Sequence, residues 1–298
     1  MIILGPTAVG KTDAAVDLCR TLDGEIISCD SMQVYRGFDI GTAKHGRESA
    51  DIRHHLVDIC DPDETFSAAD FVTRTLDLIP EIENRGRLPV VVGGTGLYLR
   101  ALLDGIFEGP PRNPEIRSRL RSDATAHGLA ALYRRLGDVD PAYQARVHPN
   151  DPVRIIRALE VWETTGVPIS IHFERSSVRL RDHRLLKLGL LLPRRDLYAR
   201  IDLRVDAMLA AGLVDEARLL LARQVSRDAT PFKGLGYRQA LKLIDGEGDE
   251  AGLREEIKTE TRRYAKRQLT WFRREKGAIW LRPDRNEWMT PLVRRWLL

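Results

Sequence analysis

A chain of 298 residues, 43% of them hydrophobic, suits one large domain with an elaboration or two domains, and can fill a sizeable core. Its three cysteines, Cys19, Cys29 and Cys60, include no CxxC pair, which argues against a disulfide framework or a structural zinc site and for a reducing cytosol. A net charge of +4 points to a polyanionic partner only if the basic residues cluster, and no apolar run reaches the roughly 18 residues of a membrane span, so no membrane partner is expected.

The first predicted strand, Ile2-Ile3-Leu4, is short, so the natural chain is expected to begin a few residues earlier, without a signal peptide. It runs into Gly5-Pro6-Thr7-Ala8-Val9-Gly10-Lys11-Thr12, which fits the phosphate-loop pattern G-x-x-x-x-G-K-[ST], and a helical pattern over residues 12–22 follows. The two glycines let the backbone turn several N–H groups toward one point, and the helix start adds its positive dipole end. Lys11 then places a full charge on outer phosphate oxygens, and the Thr12 hydroxyl is set to ligate Mg²⁺. Such a loop is common to ATP-binding proteins, and by itself it specifies a diphosphate or triphosphate and no more.

Further along, residues 25–29 read as a strand ending at Asp30, residues 66–83 as a helix with Ser67 near its start, and residues 88–92 as a wholly apolar strand ending in Gly93-Gly94-Thr95-Gly96. Character changes at Gly109-Pro110-Pro111. Helical segments separated by Pro141, Pro149, Pro152 and Pro168 follow, from Asn113 to about Ile171. A strand returns over residues 185–192, then long helices over 197–221 and 253–276. The expected fold is therefore α/β, a parallel sheet with flanking helices and a helical insertion. It divides into a first part of the core at 1–111, the insertion at 112–182 and a second part of the core at 183–298.

One carboxylate is missing. Strand 88–92 ends in glycines where a P-loop nucleotidase places an acid, and the strand-end acid in the first half is Asp30. Asp30 suits a Mg²⁺ water ligand, a general base or a turn cap before Ser31. The glycines at 93–96 either let backbone approach a ligand, with Thr95 offering a hydroxyl, or make a plain turn. Late in the chain, Lys258, Arg262, Arg263, Lys266, Arg267, Arg273, Arg274 and Lys276 cluster with Tyr264, Leu269, Trp271 and Phe272 interleaved. Lys258, Arg262 and Lys266 recur every four positions and are expected to form a stripe. Such a pattern suits a phosphate backbone with splayed bases, or a solvated face whose aromatics pack inward. The adjacent His54 and His55 suit a structural role better than a metal site.

The segments GPTAVGKT, ISCDSMQVYRGFDIGTAK, HHLVDICDPDETFSAADF, VVGGTGLYLRAL, RALEVWETTG, FKGLGYRQA and RRYAKRQLTWFRR together resemble the tRNA dimethylallyltransferases, in that family's order over nearly the whole chain. The resemblance implies a P-loop kinase-like core with a helical insertion. It also implies transfer of a dimethylallyl group from dimethylallyl diphosphate to the exocyclic amine of the adenosine 3′ of the anticodon. Gly5, Pro6, Thr7, Ala8, Val9, Gly10, Lys11, Thr12 and Arg204 would hold the diphosphate, with Mg²⁺ on Thr12, and Asp30 and Thr95 would be catalytic. Arg200 lies one helical turn from Arg204 and either joins it or pairs with Asp196 or Asp202. Contacts to the tRNA anticodon stem-loop would come from Asp30, Ser31, Met32 and Gln33, from Arg154 and Arg157, and from Lys233, Gly234, Leu235, Gly236, Tyr237 and Arg238. Lys266, Arg267, Gln268, Trp271 and Arg273 complete that set.

Departures from the family pattern are Val153 where Gln-Arg-x-x-Arg is common, and His45 and Arg53 where proline is common. The chain is expected to act as a monomer in the cytoplasm. Alternative readings are a P-loop kinase for a small metabolite, a non-catalytic RNA-binding ATPase switch and an adenylate isopentenyltransferase. The basic late helix favours tRNA over each of the small substrates.

Overall fold

The computed structural model describes residues 1–44, 51–105, 109–110, 112–175, 180, 184–283 and 288–298, so the departure at His45 lies outside the described residues. Two compact units emerge: Met1–Arg100 with Arg181–Leu298, and Ala101–Leu180.

The first unit is built on a fully parallel six-stranded sheet in the order β3-β2-β4-β1-β5-β6. Its strands are β1 (Ile2–Leu4), β2 (Gly24–Cys29), β3 (His54–His55), β4 (Leu88–Gly93), β5 (Lys187–Leu190) and β6 (Ala278–Leu281). The expected α/β parallel sheet is thus present, and the return of a strand after the helical stretch is β5, which joins β1 of the same sheet with Ile2 opposite Lys187. β1 and β2 are buried along their whole lengths, as strands covered on both faces must be. Glu25 in β2 is 2% exposed and is held by Arg85 and by His55 Nε2 at 2.6 Å, which gives His55 a structural role. Those hydrogen bonds, Arg85 first, lower the Glu25 carboxyl to about 2.

Helices α1 (Lys11–Leu22), α2 (Ala68–Asn84) and α3 (Gly96–Asp104) alternate with the early strands. Ser67 and Asp70 cap the start of α2 reciprocally, satisfying its first orphan N–H groups. After β5 come α9 (Arg194–Ala210), α10 (Leu213–Ala222), α11 (Tyr237–Ile244), α12 (Glu250–Phe272) and α13 (Met289–Leu297). The single helix expected over 197–221 is two, because Gly212 at φ 93° adopts a left-handed conformation between α9 and α10. Strands β3 and β6 were not expected. β3 is only two residues long, and β6 carries the burial of a sheet edge.

β1 leads to β2 across a position that β4 later fills, while β5 lies on the other side of β1. Connections therefore diverge at the carboxyl end of β1, which opens the crevice where ligands bind in such sheets.

The second unit contains α4 (Pro114–His127), α5 (Leu129–Val139), α6 (Pro141–Gln144), α7 (Pro152–Thr165) and α8 (Ile169–Arg175), with no strand among its described residues. It has its own core of Leu120, Leu136, Ile155, Leu159 and Val161. Glu160, fully buried, accepts from the Asn113 N–H at 2.7 Å, Arg117 Nε at 2.9 Å and Arg157 at 2.8 Å. Burial alone would raise its carboxyl, but the bonds from Arg157, Asn113 and Arg117 outweigh this and lower it. Among the described residues no helix is long and apolar enough to cross a membrane.

Candidate active site

The loop between β1 and α1 is shaped for an anion. Gly5, at φ 154°, lies so close to β5 that a Cβ would meet the Leu190 carbonyl oxygen at 2.7 Å. Ala8 and Gly10 both adopt positive φ, 62° and 93°, which swings the intervening backbone around one centre. The N–H groups of Ala8, Val9 and Gly10 make no hydrogen bond among the described residues, and those of Lys11 and Thr12 are orphan donors of the first turn of α1.

Three cations surround this loop. Lys11 Nζ donates to the Pro6 carbonyl at 2.8 Å. Burial first, then Arg204, lower its ammonium to about 8, against an opposing pull from Asp30. Burial lowers Arg204 too, with Asp30 and Asp13 acting to raise it. Arg200, one turn earlier on α9, donates to the Val9 carbonyl at 3.3 Å and forms no pair with Asp196 or Asp202 among the described contacts. Lys11 and Arg204, whose charges repel each other beside the loop, are poised to gain from an incoming multivalent anion.

Asp30 stands at the end of β2. Its Oδ1 accepts from the Met32 N–H at 2.8 Å and more weakly from Gln33 N–H at 3.4 Å, so the carboxylate caps its own turn. Its second oxygen is left for other work. Thr95 Oγ1 accepts from the Ser31 N–H at 3.3 Å, joining the turn after β4 to the turn after β2. Gln33 is committed inside the protein. Its carbonyl accepts from Ser28 Oγ at 3.1 Å, and its amide donates to the Thr42 and Ala43 carbonyls at 3.1 and 3.4 Å. It also lines the cavity, so these bonds shape the site wall.

A cavity of about 820 Å³ joins these groups. Lys11, Thr12, Asp13, Asp30, Arg200 and Arg204 line it, and Thr95 lies outside the lining. Its far wall brings together Gly41–Ala43 with Lys233, Gly234, Leu235, Gly236, Tyr237 and Arg238, segments almost 200 residues apart in sequence. Glu216 staples them. Its carboxylate accepts from the N–H groups of Asp39 and Ile40, both at 3.0 Å, and from the Tyr237 hydroxyl, which itself accepts from Gly41 N–H at 3.1 Å. Burial first and then the Glu216 bond push the Tyr237 hydroxyl far above its usual range. Glu216 carries no motif; only the tertiary contact reveals it.

The basic late helix divides by face. Lys258 pairs with Asp206 and Arg262 with Asp202, both on α9, so two of the three residues of the expected stripe hold two helices together. Lys266, Arg267 and Arg273 are exposed on α12 and just beyond it. Gln268 and Trp271 face inward, Trp271 as in the reading whose aromatics pack inward. Gln268 is 7% exposed, and its amide bonds Thr7 N–H and the Gly94 carbonyl, both at 2.8 Å. Trp271 packs over Gly96, where a Cβ would fall 2.6 Å from its ring, and under Arg100, 4.9 Å from the ring centre. Gly94 is likewise fitted to the Gln268 amide, 2.5 Å from a would-be Cβ. These two glycines therefore leave room for the Gln268 and Trp271 side chains of α12. Gly93 explains the missing acid: a Cβ there would lie 2.1 Å from the Cys29 carbonyl oxygen, so no side chain fits.

In the second unit, Arg154 is 56% exposed, whereas Arg157 is drawn onto Glu160 and the Pro110 carbonyl, so the two guanidiniums do not act as the expected matched pair. Val153, in the place of the family's glutamine, is 75% exposed. Among the described residues no trio of His, Cys, Asp or Glu forms a metal cage.

Comparison with known proteins gives a consistent result. The family model described as IPP transferase matches residues 33–275. The tRNA dimethylallyltransferase of Symbiobacterium thermophilum is 50% identical over 285 residues, spanning 94% of this chain and 88% of the relative. That of Syntrophobacter fumaroxidans is 49% identical over 281 residues, 94% and 82% of the two chains. Among solved structures, the tRNA isopentenylpyrophosphate transferase of Bacillus halodurans superposes with TM-score 0.73 at 41% identity, over 99% and 95% of the chains. A eukaryotic dimethylallyltransferase captured acting on tRNA gives TM-score 0.81 at 30% identity, over 99% of this chain and 76% of its own.

Proposed function

The chain belongs to the IPP transferase family, and from that premise we propose that it transfers a dimethylallyl group from dimethylallyl diphosphate to the exocyclic amine of the adenosine 3′-adjacent to the anticodon of tRNA, giving N6-isopentenyladenosine. One observation carries the reading. A single cavity holds an anion loop with three cations at one part of its wall and a strand-end carboxylate, Asp30, at another.

The chemistry follows from that arrangement. The free N–H groups of Ala8, Val9 and Gly10 and the charges of Lys11, Arg200 and Arg204 grip the diphosphate, most strongly as it departs. The allylic C–O bond breaks with its electron pair leaving on the diphosphate, and the adenine amine forms the new C–N bond. The amine proton goes to Asp30 through the carboxylate oxygen not engaged with Met32. The site lining also suits Mg²⁺, which favours one or two protein oxygens completed by water and substrate phosphate. Thr12 would hold it, with Asp13 and Asp30 near. Bound there, the ion would neutralise charge on the leaving group.

On the RNA side, the exposed Lys266, Arg267, Arg273 and Arg154 suit phosphate contacts, and the Lys233–Arg238 wall suits the extruded base. Cys19, Cys29 and Cys60 are free and buried, which supports a cytoplasmic setting.

Mass spectrometry of tRNA nucleosides after incubation with the protein, Mg²⁺ and dimethylallyl diphosphate tests the proposal. N6-isopentenyladenosine is expected only when donor and protein are both present. Its absence, with phosphorylated product from ATP instead, would replace the reading with a kinase.

A further inference from the structure

We infer that Gln268 is a positioning residue for the transfer, holding the diphosphate loop in register with Asp30; the inference rests on the transferase reading above. Gln268 lies on α12 between exposed Arg267 and half-buried Leu269, yet its own side chain is almost fully buried. Its amide has one workable orientation, because Thr7 N–H can only donate and the Gly94 carbonyl can only accept. One end therefore fastens the loop after β1. The other fastens the turn after β4, whose Thr95 hydroxyl receives the Ser31 N–H beside Asp30. A single side chain thus ties the part of the site that takes the leaving group to the part that takes the proton.

The fit is close on both sides. At Gly94 any Cβ would strike the amide, so the turn has given up a side chain to admit it. At the loop, Gln268 takes the N–H of Thr7 and leaves those of Ala8, Val9 and Gly10 for the anion. A displacement transfer needs donor carbon, leaving group and base aligned, and an error of about 1 Å in such alignment costs about 10²-fold in rate. Loss of the tie should therefore act on the chemical step more than on RNA capture.

Two substitutions test this. Gln268→Met keeps the volume and removes both hydrogen bonds. We expect its single-turnover rate at saturating substrates to fall at least about tenfold, its affinity for inorganic diphosphate to weaken, and its affinity for an anticodon stem-loop RNA to stay within about twofold of wild type. Gln268→Glu separates the tie from general packing. A neutral carboxyl can accept from Thr7 and donate to Gly94, whereas a carboxylate opposes the Gly94 carbonyl, and burial raises such a carboxyl. The rate of Gln268→Glu relative to wild type should therefore climb as pH falls, a dependence Gln268→Met lacks. A flat ratio across pH, or a normal single-turnover rate with RNA affinity reduced tenfold, would overturn the assignment and make Gln268 an RNA contact. If wild type made no prenylated product, the transferase reading alone would fail. Weakened diphosphate binding by Gln268→Met would then still support the tie, and unchanged binding would refute it.

Discussion

Asp30 has two oxygens with two tasks, and a substitution can separate them. Oδ1 caps the turn at Met32, which asparagine can reproduce, while proton acceptance needs the charge. Asp30→Asn is expected to lower the single-turnover rate about 10²–10⁴-fold with both substrates still binding, the usual cost of a lost general base. A near-normal rate would return Asp30 to the role of a cap. Lys11 gives a second test at this scale. With its ammonium lowered to about 8 by burial and Arg204, the free protein loses that charge as pH rises through 8. A bound diphosphate stabilises the ammonium, so the Michaelis constant for the donor should rise steadily above pH 8 while the catalytic constant stays level. Constancy of that Michaelis constant up to pH 9.5 would show that the Lys11 charge does not bind donor.

α12 does two jobs at once. Its Lys258 and Arg262 lock it to α9, its Gln268 and Trp271 dock it on the loop and on the start of α3, and its outward Lys266 and Arg267 are exposed and, under the proposed function, meet RNA. The division predicts that only the outward pair governs salt dependence. Lys266→Ala with Arg267→Ala should raise the tRNA Michaelis constant and reduce the log–log salt slope by about 0.7–0.9 for each lost phosphate contact, leaving donor affinity unchanged. An unaltered slope would show that this face meets solvent. Ala substitution of Lys258 and Arg262 is a useful contrast, since those side chains are committed to Asp206 and Asp202 and their loss should lower stability instead.

For the whole molecule, the two units have separate hydrophobic cores. Every residue lining the cavity belongs to the unit with the sheet. Among the described residues, the helical unit lines no part of that cavity. Its contribution is expected to be a grip on the stem-loop backbone that offsets the few kcal/mol of base extrusion. Replacing residues 113–180 by a short linker should preserve inorganic diphosphate binding and collapse the efficiency of RNA modification. Normal modification of an anticodon stem-loop by the folded remnant would remove the helical unit from the mechanism.

The sequence by itself determined the anion loop, the strand-end Asp30, the buried strands over 25–29 and 88–92 and the helical character of the middle segment. Each is written in a handful of consecutive residues whose backbone conformation or periodicity is local. Family resemblance likewise placed Lys11, Arg204 and Asp30, which the structure gathers on one cavity. What the tertiary structure alone decided is which face each side chain serves. Lys258, Arg262 and Gln268 read as members of one basic, RNA-facing helix. They turn inward because their partners Asp206, Asp202, Thr7 and Gly94 lie 52 to 261 residues away. Glu216 and the short strands β3 and β6 were hidden for the same reason. A carboxylate that staples two distant segments, and a two-residue strand that exists only through its neighbour, leave no periodicity in the chain, because their energy lies in pairings that form only when the sheet closes.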